Sequence, residues 1–215
     1  MSRHKLRKFA EAAKAENVFI NPFGMKGLWC SEYFHNENPI ILELGCGRGE
    51  YTLSLARRYP AKNFIGIDIK SDRLAAGAKI ARQSQLPNVA FIRIYIEDLI
   101  DFFSTGEVSE IWITFPDPFE RPGKAKRRLT APRFLNQYKE VLSPNGLVHF
   151  KSDHTSLYEY TLAAVSDSNW EIIEAIADLY ATPLDNIDLT IQTTFERKHL
   201  AVQDTIKYIR FKLKD

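Results

Sequence analysis

Residues 40–49, Ile-Ile-Leu-Glu-Leu-Gly-Cys-Gly-Arg-Gly, are the most informative stretch of this chain of 215 residues for predicting its architecture. The first five are almost wholly apolar and predict a buried strand. Glycines follow at Gly45, Gly47 and Gly49, and glycine lets a backbone turn tightly and approach a ligand closely. A helix predicted over Thr52–Arg58 comes next, and the N–H groups of its first turn are free to bind a ligand. This strand, glycine loop and helix predict a ligand-binding unit of an α/β sheet.

The rest of the chain continues to alternate short apolar runs with amphipathic stretches. We predict strands at 63–68, 89–94, 110–115 and 147–151, and helices at 73–83, 132–142 and 157–165. Such alternation predicts a doubly wound, mostly parallel sheet. Residues 171–177 and 206–213 read as strands without a long helix between them, which predicts an antiparallel strand at one edge of the sheet. No linker is visible in residues 1–215, so we expect one domain, with 1–35 as an N-terminal basic arm or helical extension.

Composition narrows the class of protein. The chain is 45% hydrophobic with a net charge of only +2, which is ordinary for a globular domain and does not announce a nucleic-acid binder. Cys30 and Cys46 show neither metal-ligand spacing nor a disulfide framework, so we expect no metal and a reducing, cytoplasmic compartment. No apolar run is long enough to cross a bilayer, so we expect no membrane partner.

Two local clusters of basic residues stand out against this even composition. They consist of Arg3, His4, Lys5, Arg7 and Lys8 near the N-terminus, and of Lys124, Lys126, Arg127 and Arg128 in a central loop. Local basic patches attract phosphate even where the net charge is near zero, although a solvated surface is the simpler interpretation of either cluster alone.

The glycine loop also indicates which ligand it binds. Asp68 ends the second predicted strand, where a carboxylate can accept hydrogen bonds from ribose hydroxyls. The third glycine comes one residue earlier than in the G-x-G-x-x-G pattern of dinucleotide sites, and Glu43 would repel a pyrophosphate. A carboxylate suits a cationic sulfonium ligand better. The pattern resembles that of class I S-adenosylmethionine methyltransferases, in which the acid before the glycines lies near the methionine part of the cofactor.

The sharpest motif is Phe115-Pro116-Asp117-Pro118, at the end of the fourth predicted strand, where open α/β sheets bind their ligands. With 43–47, 66–68, 126–129, 150–153 and 193–196 it makes the chain similar to the bacterial tRNA (guanine-N7-)-methyltransferases. The resemblance covers about residues 40–200. It implies a Rossmann-like class I methyltransferase fold, S-adenosylmethionine as cofactor, and a guanine in the tRNA variable loop as substrate.

The same resemblance implies roles for individual residues. The positions that match cofactor-binding residues are Glu43, Gly45, Gly47, Asp68 and Asp117, and those that match substrate-binding residues are Arg121, Asp153, Thr193, Thr194, Phe195 and Glu196. The loop cations Lys124, Lys126, Arg127 and Arg128 are expected on the tRNA backbone. Two positions depart from the family pattern. Tyr95-Ile96 stands where relatives have Asp-Ala contacting adenine, so the backbone of Ile96 or the acids Glu97 and Asp98 would have to substitute. Phe119 stands where relatives often have tryptophan.

The expected chemistry needs no strong base, because guanine N7 already carries an available lone pair. We therefore expect Asp117 to act as the catalytic residue by stabilising the moving positive charge. Two other functions stay open from the sequence. The chain could methylate another RNA or a small molecule, or it could be a non-catalytic RNA-binding protein that keeps this fold.

Overall fold

The computed structural model describes residues 15–181 and 183–214. Eight strands form one sheet in the order β1-β4-β3-β2-β5-β6-β8-β7. They are β1 Val18–Ile20, β2 Ile40–Leu44, β3 Asn63–Ile67, β4 Val89–Arg93, β5 Val108–Thr114, β6 Leu142–Ser152, β7 Trp170–Ile176 and β8 Lys207–Leu213. All neighbouring pairs from β1 to β6 are parallel, as the alternating sequence pattern predicts.

In the described part of the chain, five α-helices connect the strands. They are α1 Glu50–Arg58, α2 Ser71–Gln83, α3 Pro132–Val141, α4 Thr155–Ser166 and α5 Thr194–Ala201. Short 3-10 turns lie at Phe23–Met25, Ile96–Asp101, Pro122–Arg127 and Ile187–Thr190, and a π-helical turn lies at Trp29–Phe34. Pro132 occupies the first helical position of α3, where its missing N–H would have had no partner.

Apolar side chains cover both faces of the sheet. One core cluster joins the strands to α3, α4 and the buried Trp29. The other joins them to α1, α2 and the loop side chains Leu179 and Leu189. Side chains on a strand alternate between the faces, so Leu42 belongs to the first cluster and Ile41 to the second.

The predicted antiparallel strand is β8, which pairs antiparallel with both β6 and β7. It lies between them, so β7 forms the outer edge. Among the strands and α-helices of the described residues, two were not predicted. The three-residue strand β1 pairs parallel with β4 at the opposite edge, and α5 lies in a segment that the sequence marked only by its motif. The predicted N-terminal basic cluster and the first part of the predicted arm 1–35 fall on residues 1–14, outside the described residues. The following stretch packs into the body through Trp29, which is fully buried.

The strand order reverses direction between β2 and β5, and open α/β sheets bind ligands at this switch point. Close packing fixes the loop there. A Cβ atom on Gly49 would lie 2.5 Å from the Phe91 ring, and one on Gly77 of α2 would lie 2.5 Å from the Arg48 carbonyl oxygen. Larger residues would push α2 and β4 away from the glycine loop.

Candidate active site

A cavity of about 420 Å³ opens at the carboxyl ends of β2, β3, β4 and β5. This volume is in the range of small-molecule sites. Its lining comes from the loops that follow these four strands and includes Gly45, Asp68, Ile69, Lys70, Arg73, Ile94, Tyr95, Ile96, Glu97, Phe115, Pro116, Asp117, Phe119 and Arg127. The structure therefore brings the predicted cofactor residues Gly45, Asp68 and Asp117 together around one space.

The glycine loop holds Asp68 at the cavity. Gly45 and Gly47 have φ values of 74° and 58°, in the left-handed region that glycine adopts without strain. This turn lets the Gly47 N–H donate to Asp68 Oδ2 at 2.9 Å, while the Lys70 N–H donates to Oδ1 at 2.8 Å. Each carboxylate oxygen keeps a further lone pair. Asp68 is thus a fixed acceptor on the cavity wall.

Glu43 lies beneath the glycine loop and is absent from the cavity lining. Its side chain is buried and accepts three hydrogen bonds. Thr114 Oγ1 donates to Oε1 at 2.9 Å, and both the backbone N–H (2.8 Å) and the hydroxyl of Thr52 donate to Oε2. Burial raises the pKa of Glu43 to about 7, against the effect of these donors. In this geometry Glu43 ties α1 to the end of β5, next to the Asp117 loop.

Asp117 is exposed at the cavity between two backbone positions of unusual conformation. Phe115 and Phe119 have φ values of 50° and 42°, which are costly for bulky residues. Pro116 and Pro118 restrict the backbone between them. Such conformations cost on the order of 1–3 kcal/mol each and are characteristic of functional loops. These two conformations lower the stability of the fold, and they present the Asp117 carboxylate at this point.

The basic loop has an internal part and an exposed part. Arg128 donates from Nε to the Pro118 carbonyl oxygen at 3.0 Å and from Nη2 to the Phe119 carbonyl oxygen at 3.3 Å, and its guanidinium lies 4.4 Å from the Tyr160 ring centroid. Arg127 lies 4.7 Å over the Phe119 ring and lines the cavity. The exposed members of the loop are Arg121, Lys124, Lys126 and Arg127, and of these Arg127 lines the cavity. Arg128 thus braces the Asp117 loop, a role that the sequence did not predict.

The motif Thr193–Glu196 begins α5 and packs against the Asp117 loop. The Phe195 ring, 46% exposed, lies 5.2 Å from the ring of Phe115. Thr193 caps the helix by accepting a hydrogen bond from the Glu196 N–H, and the exposed Thr194 donates its hydroxyl to Glu50 Oε1 at 2.6 Å. Glu196 is the exception among the predicted substrate residues, because its side chain is fully buried.

Asp153 follows β6 and is also brought to this edge. Its Oδ2 lies 3.3 Å from Nδ1 of His199, which also lies 2.8 Å from Asp204 Oδ2. The backbone carbonyl oxygen of Asp153 accepts a hydrogen bond from Lys207 Nζ at 3.0 Å. The contact between His199 and Asp153 could not be predicted, because the two residues lie far apart in sequence, whereas Asp204 is a near neighbour of His199 in the chain.

Two large apolar side chains on the cavity wall are solvent-exposed. Ile69 is 41% exposed and Tyr95 is 56% exposed, and they follow β3 and β4. Glu97, one of the acids expected to substitute for the family's adenine contact, pairs with Arg133 at 3.1 Å. Apolar surface at this wall suits a flat, partly apolar ring such as a nucleobase.

Within 15–181 and 183–214, no group of three or more His, Cys, Asp or Glu side chains could hold a metal ion. In the same part of the chain, no helix has the length and apolar character needed to cross a membrane.

Comparison with known proteins places this site in a family. The family model described as "Putative methyltransferase" matches residues 37–209. A tRNA (guanine-N(7)-)-methyltransferase of Christiangramia forsetii is 47% identical, and the alignment covers 99% of both chains. One of Porphyromonas gingivalis is 50% identical over 89% of this chain and 78% of that protein.

Solved structures agree on the fold. The 16S rRNA methyltransferase KamB superposes with a TM-score of 0.66 at 16% identity, over 86% of this chain and 92% of its own. A mutant 16S rRNA (adenine(1408)-N(1))-methyltransferase of Catenulisporales acidiphilia, solved with its cosubstrate SAM, gives 0.61 at 15% identity, over 86% and 90%. The predicted fold class is confirmed, and the matches to sequence relatives show that the chain belongs to the tRNA (guanine-N(7)-)-methyltransferase family.

Proposed function

We propose that the protein transfers a methyl group from S-adenosylmethionine to N7 of a guanine in the variable loop of tRNA. The observation that carries the proposal is the position of Asp117. Its exposed carboxylate shares one cavity with the Asp68 acceptor and the glycine loop, and the exposed basic loop 121–127 reaches the same cavity through Arg127. A cofactor pocket, an acidic group and a phosphate-attracting rim thus meet at the switch point of the sheet.

The cavity fits S-adenosylmethionine. Asp68 would hold the ribose hydroxyls through the lone pairs that Gly47 and Lys70 leave free. The turn at Gly45 brings backbone close to the ligand, and the apolar surfaces of Ile69 and Tyr95 would lie against adenine. When bound, the cofactor supplies an electrophilic methyl group on a positively charged sulfur. Glu43 supports this site from below, through Thr52 and Thr114, rather than by direct contact.

The chain's own residues would act on the acceptor by position and charge. Guanine N7 needs no deprotonation, so alignment of the reacting atoms is the main requirement, and alignment can contribute roughly 7–11 kcal/mol. Asp117 would stabilise the positive charge that develops on the purine. Asp153 and the exposed face of Thr194 and Phe195 would hold the base, with the Phe195 ring available for stacking.

The rest of the tRNA would contact the rim. Lys124, Lys126 and Arg127, with Arg121, present cations that can neutralise phosphates. Arg128 is already held by two carbonyl oxygens and contributes indirectly. Cys30 and Cys46 are both free thiols, and a tRNA substrate is cytoplasmic, which together support a cytoplasmic location.

Transfer of a tritiated methyl group to unmodified tRNA, followed by nucleoside analysis, tests the proposal. We expect label in 7-methylguanosine, and its loss when the variable-loop guanine is replaced by adenine. Label on another atom or only on another RNA would indicate a different methyltransferase. A protein that binds tRNA but incorporates no label would be the non-catalytic alternative.

A further inference from the structure

Lys151 is a lysine with a fully buried side chain at the end of β6, directly beside the Asp117 loop. The two elements are joined by a hydrogen bond from the Phe115 N–H to the Lys151 carbonyl oxygen at 2.9 Å. Lysine is almost never fully buried unless it is paired. Here Nζ lies 2.8 Å from Glu196 Oε1, and both side chains have zero exposure. A charge pair therefore sits in the protein interior below the proposed substrate site.

The Lys151 ammonium also touches the other parts that build the site. It donates to the carbonyl oxygens of Leu189 at 3.4 Å and Ile191 at 3.3 Å, in the segment that leads into α5. It lies 5.5 Å from the Tyr51 ring centroid of α1 and 5.9 Å from that of Phe115. One buried cation thus connects the cofactor-side helix, the Asp117 loop and the segment before the Thr193–Glu196 motif.

Glu196 faces this cation and not the cavity. Its Oε1 also accepts a hydrogen bond from the Tyr180 hydroxyl at 2.7 Å. Its Oε2 is shielded from solvent and has no hydrogen-bond partner in the described part of the chain. A substrate group therefore has no route to either oxygen in this structure. Burial lowers the pKa of Lys151, and the Glu196 carboxylate opposes that change by favouring the charged ammonium.

We propose that Lys151 and Glu196 are positioning residues that hold the exposed face of α5, Thr194 and Phe195, against the Asp117 loop, and that Glu196 does not itself bind the substrate. α5 has only eight residues and a modest apolar face, so packing alone fixes it weakly. Within the motif, Thr193 and Glu196 serve the helix, whereas Thr194 and Phe195 are exposed to a substrate.

The inference rests on the proposed function, because its readout is the KM for tRNA. A direct contact and a positioning pair make different predictions for combined variants. If Glu196 binds the substrate, the increase in the KM for tRNA caused by Glu196→Gln is independent of the residue at position 151. If Glu196 acts through Lys151, the increase in KM arises largely because the buried ammonium has lost its counter-charge. That increase disappears when the ammonium is also removed.

The experiment is a double-mutant cycle of Glu196→Gln and Lys151→Met, measured as KM and kcat for tRNA and Kd for S-adenosylmethionine. In the wild-type background we expect Glu196→Gln to raise the KM for tRNA about tenfold or more, with the cofactor Kd within about twofold. In the Lys151→Met background the same change should raise the KM by less than about threefold. An equal increase in both backgrounds would overturn the proposal.

Thermal melting shows which variants fold. If a single variant does not fold, the double variant decides. It has no buried charge at this place, and a KM for tRNA within about tenfold of the wild type supports positioning, whereas a folded double variant that has lost tRNA binding contradicts it.

Glu110→Gln is the matched control. It breaks the Lys62–Glu110 pair, which spans 2.6 Å near the amino ends of β3 and β5, and it should leave the KM for tRNA unchanged. A wild type that does not methylate tRNA guanine would instead refute the proposed function.

Discussion

Asp117 is the residue on which the proposed chemistry depends most directly. It is exposed and flanked by prolines, so its removal disturbs little packing. We expect Asp117→Asn to lower kcat by about 10²-fold, because a neutral amide stabilises the developing charge less well. The melting temperature should change little. Single-turnover methyl transfer measures the effect.

Asp167, an exposed residue at the C-terminal end of α4, provides the matched control. Asp167→Asn should retain wild-type turnover. Unchanged turnover in Asp117→Asn would remove Asp117 from its catalytic role and leave alignment by the other site residues as the explanation.

Tyr95 lines the cavity at the position where we predicted a departure from the family pattern. The residue is more than half exposed on the cavity wall, and a bound adenine would cover this surface. We expect Tyr95→Ala to raise the Kd for S-adenosylmethionine about tenfold, since base–aromatic stacking is worth about 1–3 kcal/mol. Isothermal titration calorimetry without tRNA gives the constant directly. A Kd that does not change would place adenine elsewhere, and Tyr95→Phe should preserve binding.

We expect Glu43 to give the stability of the fold a pH dependence. Its pKa of about 7 in the folded protein lies above the ordinary value of 4.5, so folding favours its protonated form. The stability that this group contributes is present at low pH and is lost as the pH rises through 7. Glu43→Gln cannot titrate. The free energy of unfolding of this variant minus that of the wild type should therefore increase between pH 5 and pH 8, by on the order of 1–3 kcal/mol.

Urea titrations at several pH values measure this difference. Other carboxylates change the stability of both proteins equally, so only the difference reports on Glu43. A difference that stays constant from pH 5 to pH 8 would mean that Glu43 remains ionised in its buried site throughout, held by Thr52 and Thr114.

At the scale of elements, the 121–128 loop combines two functions that the sequence cannot separate. Lys126 is exposed, whereas Arg128 donates to the carbonyl oxygens of Pro118 and Phe119. We expect Lys126→Met to weaken tRNA binding and to reduce the slope of log K against log salt by about one. Arg128→Met should leave that slope unchanged and lower kcat instead, because the Asp117 loop loses its brace. Filter binding across a salt series and turnover assays separate the two effects. If both variants reduce the slope of log K against log salt equally, Arg128 contacts a phosphate.

Elements that bury apolar runs could be predicted from the sequence, because β2 to β6 and their helices repeat a clear pattern. The three-residue β1 is too short to show any period, and the eight-residue α5 has only a weak apolar face. The predicted position of Asp117 follows from strand order, since parallel strands end at one edge of the sheet. The burial of Glu196 could not be predicted, because a charged side chain is usually exposed and its partner Lys151 lies far away in sequence.

At the scale of the whole molecule, a net charge of +2 leaves no general attraction for tRNA, so binding depends on where the cations lie. The cluster at residues 3–8 carries four Lys or Arg side chains in six positions, a density close to that of the 121–128 loop, which carries five in eight. A tRNA reaches far beyond a cavity of about 420 Å³. Cations remote from the cavity can therefore add affinity for tRNA without touching the cofactor.

We expect removal of residues 1–8 to raise the Kd for tRNA about tenfold or more and to reduce the salt dependence of binding, because fewer counterions are released from the phosphates. The Kd for S-adenosylmethionine should stay within about twofold, since the glycine loop, Asp68 and Asp117 are all retained.

A full-length variant with Arg3, Lys5, Arg7 and Lys8 changed to glutamine separates charge from chain length and should match the truncation. Titrations of both ligands with all three proteins decide the matter. Equal losses of tRNA and cofactor affinity would show that the segment supports the fold, and a glutamine variant that binds tRNA normally would show that its charge is not what the tRNA contacts.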